Sequence, residues 1–169
     1  MTRFRKVELS GGTAGRLYLH SMPGRYERLE DAWAEVRGLG ISTIICLAPL
    51  DEIREKSPEY SKSIEIGTVP CDVRRLPVCD YQGPDDDRAF SELSGQVADL
   101  LRRGEGILIH CGAGVGRTGM FAIAALMGLG LSADEARRQV RAAGSGPERP
   151  AQEEALRRFG RLRHQAQER

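Results

Sequence analysis

At 169 residues the chain has the length of one domain, and a globule of that size buries roughly 70% of its unfolded surface, enough to carry a complete enzyme. Hydrophobic residues at 40% and charged ones at 29% exclude general disorder, and a formal net charge of +1 argues against nucleic-acid binding, which draws on a marked basic excess. No apolar segment follows the charged start and no run reaches membrane-spanning length, so no membrane association is expected and a cytoplasmic, reducing setting is the default.

Leu17 to His20 reads as a short strand, and Tyr26 to Leu39 as a helix with Leu29, Trp33, Val36 and Leu39 at helical spacing. Thr43 to Leu47 is β-branched and apolar, the pattern of a strand buried on both faces. Residues 50 to 63 are polar and helical in part, and Ile64 to Leu76 is expected to be extended, leading into the turn-rich segment 77 to 84. Asp85, Asp86 and Asp87 open a helix to about Arg103, with Phe90, Leu93, Val97, Leu100 and Leu101 on one face.

Gly106 to His110 follows as a buried strand, and the nearly all-apolar stretch Arg117 to Leu129 predicts a helix inside the protein. Ser132 and Glu135 form a capping box for a helix over 133 to 143, and a last helix begins near Pro150. The nine arginines against four glutamates in residues 137 to 169 read as a solvated basic helix face. No repeat or linker divides the chain, so residues 1–169 are expected to form a single domain, and the alternation of strands and helices predicts an α/β class. The cysteines at 46, 71, 79 and 111 show no zinc-type spacing, so no metal is expected.

The chemistry concentrates between the strand ending at His110 and the helix after it, in Cys111-Gly112-Ala113-Gly114-Val115-Gly116-Arg117-Thr118. A Cys followed six positions later by Arg is weak evidence alone, since chance supplies about 0.5 such pairs in a chain this rich in arginine. Three glycines in five residues add weight, because they let successive N–H groups turn toward one centre. A nest of this kind at a helix N-terminus binds a phosphate dianion, and the same field favours an ionised, nucleophilic cysteine at position 111. Arg117 supplies a planar fork for two phosphate oxygens. The bland reading of Cys111 is a small buried hydrophobe. Gly114-Val115-Gly116-Arg117-Thr118-Gly119 also matches the G-x-G-x-x-G dinucleotide fingerprint, but the second strand with its acidic residue is lacking.

His110 to Gly119 closely resembles the H-C-x-x-G-x-x-R-[ST] signature of the protein tyrosine phosphatase superfamily. Pro77-Val78-Cys79-Asp80-Tyr81-Gln82-Gly83-Pro84-Asp85 resembles the acid loop of its compact dual-specificity members, especially those of the cyclin-dependent-kinase-associated type. The likeness extends over most of the chain and is strong from 77 to 120. It implies a central, mostly parallel sheet of four to five strands with helices on both faces, no metal or cofactor, and a phosphorylated protein as substrate. Under it Cys111 is the nucleophile, Arg117 and the amides of Gly112, Ala113, Gly114, Val115 and Gly116 bind phosphate, and Thr118 assists the thiolate. Asp80 is the general acid, with Asp85, Asp86, Asp87 and Asp72 as rivals. His110 orders the loop, and Gln152 resembles a glutamine that positions the hydrolytic water, its other reading being a first-turn helix residue.

Cys79, beside the acid, is a candidate disulfide partner of Cys111 or a buried thiol. The Trp-Pro-Asp triplet of tyrosine-only phosphatases is absent from the acid loop, so phosphoserine and phosphothreonine stand beside phosphotyrosine as substrates. Other functions compatible with the motif are hydrolysis of a phosphoinositide, a nucleotide or an RNA 5′ end, or capture of a phosphorylated partner without hydrolysis. Polyphosphoinositides call for basic residues inside the loop, where 112 to 116 offer only Gly, Ala and Val.

Overall fold

The computed structural model describes residues 3–169. Among the described residues five strands form one sheet: β1 (Arg5–Val7), β2 (Arg16–His20), β3 (Ile41–Cys46), β4 (Asp72–Arg75) and β5 (Gly106–His110). Their spatial order is β1-β2-β5-β3-β4, with β1 antiparallel to β2 and every other pair parallel. The sheet is thus mixed, mostly parallel, as expected. The described residues also form seven helices: α1 (Leu29–Gly38), α2 (Leu50–Lys56), α3 (Pro58–Ile66), α4 (Asp87–Arg102), α5 (Gly116–Gly128), α6 (Ala133–Ala142) and α7 (Pro150–Gln167).

Side-chain alternation along the central strands sorts the core into two layers. Leu17, Leu19, Ile107 and Ile109 pack with Phe90, Val97 and Leu101 of α4, Phe121 and Ile123 of α5, Val140 of α6 and Phe159 of α7. Tyr18, Leu108 and Ile44 point the other way, onto Trp33 and Val36 of α1, Ile53 of α2 and Tyr60 of α3. Helix α5 is covered on all sides by the sheet and its neighbours, and residues 116 to 126 are buried without interruption. Each fully buried large apolar side chain of this kind contributes about 1.5–3 kcal/mol.

Three local expectations change. Helix α1 starts at Leu29 rather than Tyr26, because the chain first turns at Pro23-Gly24, where the Glu27 carboxylate accepts from the Gly24 N–H at 3.2 Å. The polar segment from residue 50 is two helices, divided at Ser57 because the residue before a proline avoids helical angles. Ile64 to Ile66 belong to α3, which ends on Gly67 in the left-handed region (φ 71°), so the extended stretch shrinks to β4. Strand β1, three residues long, was too short to show an alternating pattern in sequence. Among the described residues no helix is long and apolar enough to cross a membrane.

This topology decides where a site can form. Strands β2, β3, β4 and β5 run parallel, so the loops leaving their C-terminal ends gather at one edge of the sheet.

Candidate active site

At that edge Cys111 leaves β5 and the chain turns through 112 to 115 into the N-terminus of α5. Planar trans peptides point each carbonyl opposite to the following N–H, so the partners of the loop carbonyls show which way its amides face. The Cys111 carbonyl accepts from His110 Nδ1 at 3.0 Å, and the Gly112 carbonyl accepts from the Met22 N–H at 3.1 Å. Gly114 O and Val115 O also have donors outside the loop, the latter the N–H groups of Gly119 and Gly146 at 2.8 and 3.2 Å. With these carbonyls drawn outward, the N–H groups of 112, 113, 115 and 116 turn away from those partners, toward the concave side of the loop. Gly114 has φ +78°, and a Cβ there would strike the backbone of His20, so the turn requires glycine.

The Cys111 sulfur sits inside this curve, with its residue 2% exposed. Thr118 Oγ1 donates to it at 3.1 Å and the Gly114 N–H lies 3.3 Å away. His110 is fully buried, and burial is the chief reason that its pKa falls to about 4. The neutral ring has one N–H, and the Cys111 carbonyl can only accept, so Nδ1 carries the proton and Nε2 accepts from the Tyr60 hydroxyl at 2.8 Å. Tyr60 is held neutral by its own burial, which lifts its pKa well above the ordinary value.

Arg117, 2% exposed, is tethered at one end of its guanidinium. Nη1 donates to Glu52 Oε2 at 2.8 Å and to the Val78 carbonyl at 2.9 Å, and Nη2 donates to Glu52 Oε1 at 2.9 Å. Burial works against the cation, yet Glu52 foremost, with Cys111 and Asp80, outweighs it and raises the Arg117 pKa. Burial likewise opposes the Glu52 carboxylate, but Arg117 and then Lys56 hold it below the usual range. Arg117 Nε is buried without a hydrogen-bond partner, and it shares an edge of the fork with Nη2. Asp80 Oδ1 stands 3.2 Å from Nη2, which leaves Nε as the guanidinium donor without a protein partner.

A cavity of about 230 Å³ opens over the loop, lined by Arg25, Lys56, Asp80, Tyr81, Cys111, Ala113, Gly116, Arg117 and Glu148. The structure therefore brings Cys111, Arg117, Thr118 and Asp80 together. Gln152 stands behind Gly116: it is fully buried, its Oε1 accepts from the Glu148 N–H at 2.8 Å, and its Nε2 is unpartnered. Glu148, rather than Gln152, is the side chain of that turn that lines the cavity. Among the rival acids, Asp86 caps α4 by accepting from Ala89 N at 3.0 Å, Asp87 pairs with Arg158, and Asp72 with Arg74. Cys79 is exposed and Cys111 buried, both as free thiols.

Glu52, Tyr60, Arg25, Lys56 and Glu148 carried no local signal in sequence. Each is recruited by the fold rather than by a neighbouring motif; Glu52 lies 65 positions from the arginine it holds. Among the described residues no group of three or more His, Cys, Asp or Glu side chains is placed to hold a metal ion.

Comparison with known proteins gives a consistent picture. A family model described as "Swiss Army Knife protein, DSP-PTPase phosphatase domain" matches residues 14–169. No curated protein sequence matches the chain. Among solved structures, kinase associated phosphatase with its catalytic-site cysteine replaced by serine superposes with a TM-score of 0.79 at 19% identity, covering 93% of each chain. Tk-PTP in its active form gives 0.69 at 24% identity over 92% of this chain and 95% of its own. PTPMT1 in complex with PI(5)P gives 0.69 at 18% identity over 95% and 96%. At these identities the likenesses show the fold.

Proposed function

The chain belongs to the DSP-PTPase phosphatase domains of the Swiss Army Knife type, cysteine-based phosphatases of the protein tyrosine phosphatase superfamily, and from that premise we propose that it hydrolyses phosphotyrosine in proteins through a phosphorylated Cys111. The observation that carries the reading is the buried Arg117 guanidinium, unpartnered at Nε, in one cavity with a sulfur held by Thr118 and Gly114.

The proposed reaction has two displacements. Cys111 sulfur attacks phosphorus as the P–O bond to the leaving group breaks, and Asp80 gives its proton to the departing oxygen. What supports this role is that Asp80 lines the same cavity as Cys111, with a half-exposed side chain that can exchange protons with water. Water then attacks the cysteinyl phosphate, its proton passes to Asp80, and the S–P bond breaks. The sulfur departs as a thiolate onto the Thr118 hydroxyl and the Gly114 N–H. Arg117 and the inward amides of 112, 113, 115 and 116 hold the equatorial oxygens throughout, where charge is greatest in the transition state. Tyr81 lines the cavity, with the Arg149 guanidinium over its ring, and is the aromatic side chain there that the ring of a phosphotyrosine would meet. Phosphoserine and phosphothreonine are weaker substrates on this reading.

A second reading, a phosphoinositide phosphatase, is favoured by two findings. Arg25 and Lys56 bring to the cavity the cations that the loop itself lacks, and PTPMT1 was solved with PI(5)P. The deciding assay compares wild type, Cys111→Ser and Asp80→Asn on p-nitrophenyl phosphate, phosphopeptides and phosphoinositide dispersions, with a chelator present. Expected are the highest kcat/KM on phosphotyrosyl peptide and a loss of at least about a thousandfold in Cys111→Ser. Asp80→Asn should lose about 10²- to 10⁴-fold in kcat on substrates with poor leaving groups. Equal rates for wild type and Cys111→Ser would overturn the mechanism, and faster turnover of phosphoinositide than of any phosphopeptide would transfer the assignment to the second reading.

A further inference from the structure

The carbonyl at the middle of the phosphate loop is gripped by a residue outside the segment that the family model matches. Arg5 lies on β1, ahead of residue 14, where the match begins. Its Nη2 donates to the Gly114 carbonyl at 2.6 Å, while Nη1 donates to the Ala143 carbonyl at 2.9 Å and to Ser145 Oγ at 3.0 Å. Ser145 Oγ in turn donates to the same Gly114 oxygen at 2.6 Å. Two donors therefore occupy both lone pairs of one carbonyl.

The consequence follows from peptide geometry. The Gly114 carbonyl and the Val115 N–H belong to one trans peptide plane and point in opposite directions. Drawing the oxygen outward to Arg5 and Ser145 turns the Val115 N–H inward, among the donors that would meet a phosphate. Glycine at 114 leaves this plane freer to rotate than any other residue would. A clamp on its carbonyl is what fixes the amide before an anion arrives, and preorganised donors are worth more than donors that must be ordered on binding.

We propose that Arg5 is a positioning residue of the phosphate loop, so that docking of the N-terminal strand onto β2 sets phosphate affinity and turnover at Cys111. The inference rests on the phosphatase reading for turnover, but not for anion binding, and the two are therefore measured separately. Inorganic phosphate binding is followed by calorimetry, and kcat and KM on p-nitrophenyl phosphate by absorbance. The full-length variants are Arg5→Gln, Arg5→Lys and Ser145→Ala, with Lys6→Ala, exposed on the same strand, as the control.

Arg5→Gln, folded by circular dichroism, should bind phosphate at least about tenfold more weakly and lose kcat/KM in parallel. Arg5→Lys should recover part of the loss, because one ammonium cannot span Gly114, Ala143 and Ser145 as a fork does. Lys6→Ala should match wild type. A folded Arg5→Gln with wild-type phosphate affinity, or with only a lowered Tm, overturns the proposal. Should Arg5→Gln fail to fold, Ser145→Ala decides in its place: weakened phosphate binding supports the clamp and unchanged binding overturns it. Weakened phosphate binding in a chain whose wild type hydrolyses nothing would retain the clamp and refute the phosphatase reading.

Discussion

His110 shows how burial converts a titratable side chain into a fixed hydrogen-bonding part. Packed against Tyr60 and near Arg117 and Glu52, it stays neutral in the fold until the pH falls to about 4, whereas the unfolded ring takes up its proton near 6.5. Between those values the unfolded chain binds the extra proton, so stability is complete above pH 6.5 and is lost as pH falls toward 4. The difference corresponds to an effect on the order of 3 kcal/mol. Urea denaturation at stepped pH should show a steeper decline for wild type than for His110→Gln across that window, the two curves converging at the acid end. Parallel curves would contradict the assignment. At this scale the sequence was informative where the partners are near in the chain: Cys111, Arg117 and Thr118 are held together by one turn of loop. Glu52, which holds Arg117 in place, lies in a polar helix whose side chains look alike until the fold selects one.

Helix α5 carries the loop, and its placement depends on close backbone approach. A Cβ at Gly119 would collide with the backbone of Gly146, the residue whose N–H also bonds Val115 O. Gly119→Ala should force the helix away from the 144–146 turn and cost about 1–3 kcal/mol of stability. Gly95, in the interior of α4, faces open space, and a methyl group added there would meet nothing within 4 Å. Gly95→Ala should instead stabilise by roughly 0.5–1 kcal/mol, through lower chain entropy in the unfolded state and better helix propensity. Chemical denaturation of both variants checks the pair, and equal shifts of the same sign would refute this account of α5 packing. Most elements were legible because their signals are local. The capping box of α6 is one example, with Ser132 Oγ accepting from the Glu135 N–H at 3.2 Å and Glu135 accepting from the Ser132 N–H at 2.9 Å. Ile64 and Ile66 misled because β-branched residues suggest strand, yet Ile66 ends a helix with 61% of its surface exposed.

Across the whole molecule, four parallel strands deliver their C-terminal ends to one edge, and each contributes a different part. The segment after β2 supplies Arg25, that after β3 supplies Glu52 and Lys56, that after β4 supplies Asp80, and β5 leads directly into Cys111. A sulfur, a tethered guanidinium and a carboxyl thus meet although no short stretch of sequence contains all three. The central claim is that this assembly makes Cys111 a transient carrier of the phosphoryl group. Rapid acid quench during turnover of p-nitrophenyl phosphate, followed by mass spectrometry of the peptide containing residue 111, tests it most directly. The account predicts a phosphoryl adduct on Cys111 that forms within the first turnover, is absent in Cys111→Ser and decays as inorganic phosphate appears. Turnover at full rate with no adduct at that cysteine, or with an adduct on another residue, would contradict it.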